Sequence, residues 1–261
     1  MRIVSFATGA LLLAALPYVL SSQNAPRARA EGYLTGSALP DLIHVLPSAP
    51  EPASARDAAD RAIFKATRSL QDSPRWKLAQ NDDKLSIAAL LADFSCSMGV
   101  TLTTENAPVL ARMLARVATD ASAATGPAKD FFHRKRPFLV DQGPVCIAIS
   151  PAFEKSFDYP SGHTTLGWAV GLILAEIDSG HASPILTRAR AFGESRVVCG
   201  VHNASAVDAG RVAGASLVAA LHSNATFRVD FEKAHAELAA LKSKEAGECA
   251  AETSLIAKSP Y

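Results

Sequence analysis

The stretch Thr164-Thr-Leu-Gly-Trp-Ala-Val-Gly-Leu-Ile-Leu-Ala-Glu-Ile177 decides the fold class. At about 14 residues it has the length of a buried core helix and is too short to cross a bilayer. Tyr159-Pro-Ser-Gly-His163, just before it, forces a tight turn, and Ser161 or Thr164 is suited to cap the helix that follows. Downstream, helices are predicted over 183–197, 205–222 and 227–244. Upstream, from Ala53 onward, apolar residues recur at three and four rather than alternating. Ala58, Ala62, Ile63, Ala66 and Leu70 form one stripe, and Leu85, Ala88, Ala89, Ala92 and Phe94 another. Asn106-Ala-Pro108 opens a further helix with Leu110, Met113, Leu114 and Val117 along one side. Convincing strands, repeats and low-complexity tracts are absent, so the expectation is an all-α, single-domain helical bundle.

The composition excludes several classes of partner. The chain has 261 residues, 26 Lys+Arg against 25 Asp+Glu, 49% hydrophobic and 20% charged residues. So even a balance removes the case for a nucleic-acid protein, and so apolar a chain is not disordered. Arg2, the apolar run from Ile3 to Leu20 broken at Pro17, and the ending Ala28-Arg29-Ala30 read as a secretory leader over 1–30. The competing reading is an uncleaved anchor; Pro17 and the Ala-x-Ala ending favour cleavage. Without Arg2, Arg27 and Arg29 the 26 bases become 23 against 25 acids, a net charge of −2. A Pro-rich arm follows over 31–52 (Pro40, Pro47, Pro50, Pro52), then a helical domain over 53–245 and a tail over 246–261. Export makes disulfides permissible, and Cys96, Cys146, Cys199 and Cys249 allow three complete pairings, with free buried thiols the alternative. The expected location is periplasmic or secreted, with no stable membrane span once the leader is gone.

Basic and histidine residues fall into three clusters. Lys129 and Arg136 stand seven apart, two helical turns, so a continuous helix presents both on one face before Pro137 ends it. Alone, this reads as a solvated helix end. In the second cluster, Pro160-Ser161-Gly162-His163, free backbone N–H groups at a helix start make an anion site with His163 at its rim. The bland alternative is a capped helix start. In the third, Arg196 ends a helix, Gly200 permits a turn and His202 precedes the next helix. Taken singly, these two read as a surface arginine and a core histidine. Together the clusters supply Lys129, Arg136, Arg196, a Ser161 hydroxyl, the Gly162 amide and two histidines. That set suits a tetrahedral oxyanion, each charge-assisted bond contributing about 1.5–3 kcal/mol where water is excluded. Two histidines allow metal-free phosphoryl transfer, one attacking phosphorus and the other protonating the leaving oxygen.

Lys129-x6-Arg136-Pro137, Pro160-Ser-Gly-His163 and Ser195-Arg196-x5-His202 resemble the three-part signature of the type 2 phosphatidic acid phosphatase (PAP2) superfamily. Within it the chain is similar to the bacterial class A non-specific acid phosphatases. Tyr33-Leu34, Leu39-Pro40-Asp41, Arg75-Trp76, Phe94-Ser95-Cys96, Tyr159 through Ala169, and Ser195 through Gly200 extend the likeness over almost the whole chain after residue 30. The resemblance implies a helical fold shared with vanadium haloperoxidases and a phosphomonoesterase needing no metal or other cofactor. Lys129, Arg136, Arg196, Ser161 and Gly162 would hold phosphate, His163 would be the general acid, and His202 the nucleophile forming a phosphohistidine. It also implies inhibition by vanadate, inorganic phosphate as product, and a homodimer in which the arm is a candidate for exchange. A lipid phosphatase or a haloperoxidase could use the same site, but no run of spans follows residue 30 and the flanking residues are of the class A kind.

One position departs from the pattern. The family places an aspartate four residues after the nucleophilic histidine, to hold its tautomer; here that residue is Ala206. Asp208 is the candidate replacement, although two positions turn a helix by about 200°, to nearly the opposite face. Ser205, Asn203 or a backbone carbonyl are others. The alternative function is therefore a weak or inactive phosphate binder.

Overall fold

The computed structural model describes residues 30–241 and 249–261, with Met1 and Ile3. The predicted leader, apart from those residues and Ala30, and the beginning of the predicted tail lie outside the described residues. Eleven α-helices are described: α1 Leu42–Val45, α2 Ala55–Thr67, α3 Pro74–Asn81, α4 Ile87–Met98, α5 Pro108–Phe132, α6 Pro151–Glu154, α7 Gly162–Ile177, α8 Ala182–Val198, α9 Ala204–Ser223, α10 Ala225–Ala240 and α11 Ala250–Ile256. The all-α expectation holds, with no strand among the described residues. Short polar side chains start most of these helices. Ser54, Ser73, Ser86, Ser150, Ser161 and Asn224 each accept a hydrogen bond from a backbone N–H of the first turn.

α7 is the centre of the bundle, as its composition predicts. Leu166, Ala169, Val170, Ile173, Leu174 and Ile177 are buried in the main core, which α4, α5, α8, α9 and α10 complete. α8 and α9 approach α7 closely because the contact faces carry glycine. A Cβ at Gly171 would stand 2.4 Å from the Ala189 Cβ, and one at Gly210 would meet Thr164 Cβ at 2.7 Å and the Ser161 carbonyl oxygen at 2.8 Å. The neighbours of Gly210 belong to the turn that opens α7, so the fit there positions the site. Gly210→Ala is expected to cost about 1–3 kcal/mol through overpacking, lowering Tm by up to about 10 °C for a chain of this size. Thermal unfolding checks this; a Tm within about 1 °C of wild type would contradict the packing argument.

Two helices turn a different face inward from the one their alanines suggest. α2 buries Asp60, Phe64 and Thr67, while Ala58, Ala62 and Ala66 are exposed. Asp60 belongs inside because it accepts the Ser205 N–H at 2.9 Å and pairs with Arg134 at 2.8 Å. α4 buries Leu90, Leu91, Phe94 and Met98, leaving Leu85, Ala88 and Ala92 outside. On α5, where the stripe is made of large aliphatic residues, Leu110, Met113, Leu114 and Val117 are all buried as expected.

The arm over 31–52 is not wholly irregular: it contains α1 and folds onto its own chain. Tyr33 and Leu34 donate their N–H groups to Asp120 on α5, and the Tyr33 hydroxyl meets Asp230 at 2.8 Å. Of the three open pairings the structure has Cys96–Cys249 and Cys146–Cys199. The first ties the segment before α11 to α4; the second ties the 143–147 loop to the turn after α8. Among the described residues one helix, α9, is long and apolar enough to cross a membrane, with 61% of its apolar window buried in the bundle.

Candidate active site

The first cluster does not work as a continuous helix. α5 ends at Phe132 because His133 takes a left-handed conformation, φ 51°. Lys129 stays on the last turn, while Arg136 sits in extended backbone ahead of a short 3-10 turn at Pro137–Leu139. The two therefore meet by the chain doubling back rather than by sharing a helix face. They line one cavity of about 430 Å³ with Gly162, His163, His202 and Leu85. A larger cavity of about 590 Å³ is lined by Arg61, Arg134, Asp141 and Asn203, and neither predicted histidine reaches it.

His202 is buried in the turn between α8 and α9, where Gly200 adopts φ 80°. Its Nδ1 lies 2.9 Å from Asp158 Oδ1, and its Nε2 lies 3.0 Å from Arg136 Nη1. An arginine can only donate and an ionised carboxylate can only accept, so the ring carries its hydrogen on Nδ1 and an electron pair on Nε2. Asp158 is fully buried and held by more than the histidine. Its Oδ1 accepts the Asn203 N–H at 3.2 Å, its Oδ2 accepts from Asn203 Nδ2 at 2.9 Å, and Arg134 Nη1 stands 3.6 Å from Oδ2.

Asp208 does not fill the place of the missing aspartate. Its side chain is 66% exposed and pairs with Arg211 at 2.8 Å, on the face of α9 turned away from His202. This is the rotation expected of a regular helix, and α9 is regular from Ala204 onward. Ala206 packs against the segment that supplies the carboxylate: its carbonyl oxygen accepts the Ser161 N–H at 2.9 Å. Asn203, one of the sequence alternatives, acts through Asp158. Sequence reading missed Asp158 because it stands 44 residues from His202; its one local signal is an acid directly ahead of Tyr159-Pro160.

Of the phosphate-binding candidates, Lys129, Arg136 and Gly162 line the cavity, while Ser161 and Arg196 are fully buried. Ser161 caps α7, its Oγ accepting from the Thr164 N–H and hydroxyl, which leaves its own hydrogen to donate. A Cβ on Gly162 would meet only Thr125 and Lys129, at 3.7 and 4.0 Å, so the glycine lies within ordinary contact distance of the lysine side chain. Lys129 Nζ donates to the Phe157 carbonyl at 2.8 Å. Arg136 also donates to the Val201 carbonyl at 2.8 Å and stacks over the Phe153 ring, 3.9 Å from its centroid. Arg196 is fully buried; its Nη1 donates to Asp83 at 2.8 Å, while Nε and Nη2 have no hydrogen-bond partner. Unpaired buried donors are costly, so these two nitrogens are donors in want of an acceptor.

Burial and mutual repulsion shape the titration of the group. Burial, reinforced by Arg136, lowers Lys129 to about 7. Burial, reinforced by Arg196, lowers Arg136 to about 10. Both histidines are pushed well below the usual 6.5, His163 by burial and Arg196, His202 by burial, Arg136 and Lys129. The site thus favours neutral imidazoles until an anion arrives to balance the cations.

Residues 109–230 match the PAP2 superfamily, a span holding every predicted site residue. An acid phosphatase of Zymomonas mobilis subsp. mobilis is 41% identical over 198 residues, 76% of this chain and 75% of that one. A non-specific acid phosphatase of Providencia stuartii is 36% identical over 212 residues, 80% of this chain and 86% of that one. Among solved structures, a transmembrane PAP2-type phosphatidylglycerolphosphate phosphatase of Bacillus subtilis covers 70% of this chain and 89% of its own, at 21% identity and TM-score 0.47. With relatives this similar over most of their length, the chain belongs to the acid phosphatases of the PAP2 superfamily.

Proposed function

We propose that the protein is an exported phosphatase that hydrolyses phosphomonoesters through a phosphohistidine on His202, without a metal. The observation that carries this reading is the orientation of His202, with Nδ1 on Asp158 and the electron pair of Nε2 turned to the arginine of the cradle. Lys129, Arg136, Arg196, the Ser161 hydroxyl and the Gly162 N–H hold the phosphoryl oxygens, supplying the positive charge a metal would otherwise bring. Nε2 attacks phosphorus, the ester P–O bond breaks, and His163 gives its proton to the departing alcohol. Water then gives a proton to His163 and attacks the phosphohistidine. The P–N bond breaks and inorganic phosphate leaves. Asp158 stabilises the charge that develops on His202 in the first step.

Export draws support from the leader reading and from both disulfides, which persist in an oxidising compartment. A periplasmic or secreted location follows from that reading. The chemistry requires His163 protonated and His202 neutral, so the rate against pH is bell-shaped, and the cations set its maximum on the acid side of neutrality. Above about 7, where Lys129 loses its charge, KM also rises. Assay of 4-nitrophenyl phosphate from pH 4 to about 9, with chelator and with vanadate, tests the reading. Acidic, chelator-resistant, vanadate-inhibited turnover is expected; a flat profile, or activity restored only by a divalent metal, overturns it.

A further inference from the structure

The turn between α3 and α4 puts an acid inside a site built for an anion. Asp83 Oδ1 accepts from Arg196 Nη1 at 2.8 Å and lies 3.7 Å from His163 Nε2. The carbonyl oxygen of the same residue is 3.1 Å from that Nε2. A carboxylate here opposes phosphate binding, so its position calls for an offsetting role. The position is also well anchored. Asp82, the preceding residue, is fully buried, forks with Arg188 at 2.6 and 3.2 Å, and accepts from Ser195 Oγ at 2.5 Å. Ser195 adjoins Arg196 on α8, so the turn that carries Asp83 is tied to the helix that carries the arginine.

Two consequences follow from donor and acceptor roles alone. A carbonyl oxygen can only accept, so His163 carries a hydrogen on Nε2, and the proton it can transfer is the one on Nδ1. Asp83 takes one corner of the Arg196 guanidinium and leaves Nε and Nη2, which make no other bond, as the pair of donors for two phosphate oxygens. The charged and titratable groups around His163 are Arg196 from α8, Arg136 from the loop after α5, Lys129 from α5, His202 from the turn before α9, and Asp83. Asp83 is the one acid in this set.

We propose that Asp83 is the positioning residue for the proton donor: its carbonyl sets the tautomer of His163, and its carboxylate supplies the counter-charge for the imidazolium while turning the Arg196 fork toward phosphate. This rests on the reading of His163 as general acid. It deepens that reading, because the donor side of the site then has its own carboxylate, as the nucleophile side has Asp158.

Asp83→Asn keeps the backbone carbonyl and removes only the charge, so it isolates the carboxylate. Loss of an opposite charge near 4 Å lowers the histidine pKa, so the alkaline limb of kcat/KM moves to lower pH, by about 0.5–1 unit. A proton donor matters most for poor leaving groups. In Asp83→Asn, kcat/KM for an alkyl phosphate such as glycerol phosphate falls about 10–100-fold, against less than about 3-fold for 4-nitrophenyl phosphate. Both readouts are taken on protein whose thermal unfolding matches wild type, with Asp83→Ser measured the same way should the asparagine variant not fold. An unmoved limb with unchanged leaving-group selectivity overturns the proposal. His202→Ala is run alongside. If it is inactive, His202 is required whatever Asp83 does; if it turns over normally, the phosphohistidine reading fails independently.

Discussion

Asp158→Asn is expected to lower kcat by about 10²–10⁴-fold, the upper figure being the loss seen when a serine protease loses its orienting carboxylate. The argument runs through the tautomer. Asp158 can only accept, and this keeps the hydrogen of His202 on Nδ1 and the electron pair on Nε2. Asparagine can present an N–H instead, and the ring then carries its hydrogen on the nitrogen that should attack. The positive charge formed on the ring also loses its counter-ion in a site already holding Lys129, Arg136 and Arg196. KM is expected to change little, since Asp158 is fully buried behind the histidine and has no part in the cradle. Steady-state kinetics on folded variant give the split. A kcat within about 3-fold of wild type would remove Asp158 from the mechanism. Asp208→Ala serves as the matched control and should leave kcat unchanged, because that carboxylate meets Arg211 at the surface.

His202→Ala is expected to reduce kcat by about 10⁵–10⁶-fold, leaving only what binding and charge provide. The variant distinguishes covalent from general-base catalysis when combined with a trapping experiment. Phosphohistidine survives alkali and is destroyed by acid, so wild type mixed with labelled substrate and quenched in alkali should retain label on the protein. His202→Ala should retain none. His163→Ala, which leaves the nucleophile in place, should still form the labelled species with a good leaving group but hydrolyse it slowly. Label retained by His202→Ala would place the nucleophile elsewhere, and no label in any form would favour direct attack by water. The substitution removes a side chain that is 2% exposed, so thermal unfolding must accompany the kinetics.

The parts of the molecule that were legible in the sequence are those governed by local chemistry. Ser161 ahead of α7, Pro108 opening α5 and the apolar run of α7 each act over a few residues, and all appear where the pattern places them. Lys129 and Arg136 of the first cluster, Gly162 and His163 of the second and His202 of the third line one cavity. Faces assigned from alanine were wrong on α2 and α4, because alanine is as good a helix former outside as inside and carries little burial signal. Asp60 was illegible for the opposite reason: an acid is inside only because Arg134 and the Ser205 N–H are there to meet it. The placing of Lys129 and Arg136 on one helix failed at His133, whose left-handed backbone nothing nearby foretells. Asp158 and Asp83 lie 44 and 113 residues from the partners they serve, beyond any spacing rule.

Asp158 has a consequence for how sites of this kind are searched for. A text pattern that demands an acid four places after the histidine rejects this chain, and one that admits Asp208 accepts it on the wrong residue. A criterion written in space, a carboxylate oxygen within 3 Å of the histidine nitrogen turned away from Arg136, accepts it through Asp158. What the proposed reaction asks for is a negative charge at a point, and here the segment ahead of α7 delivers it from 44 residues away.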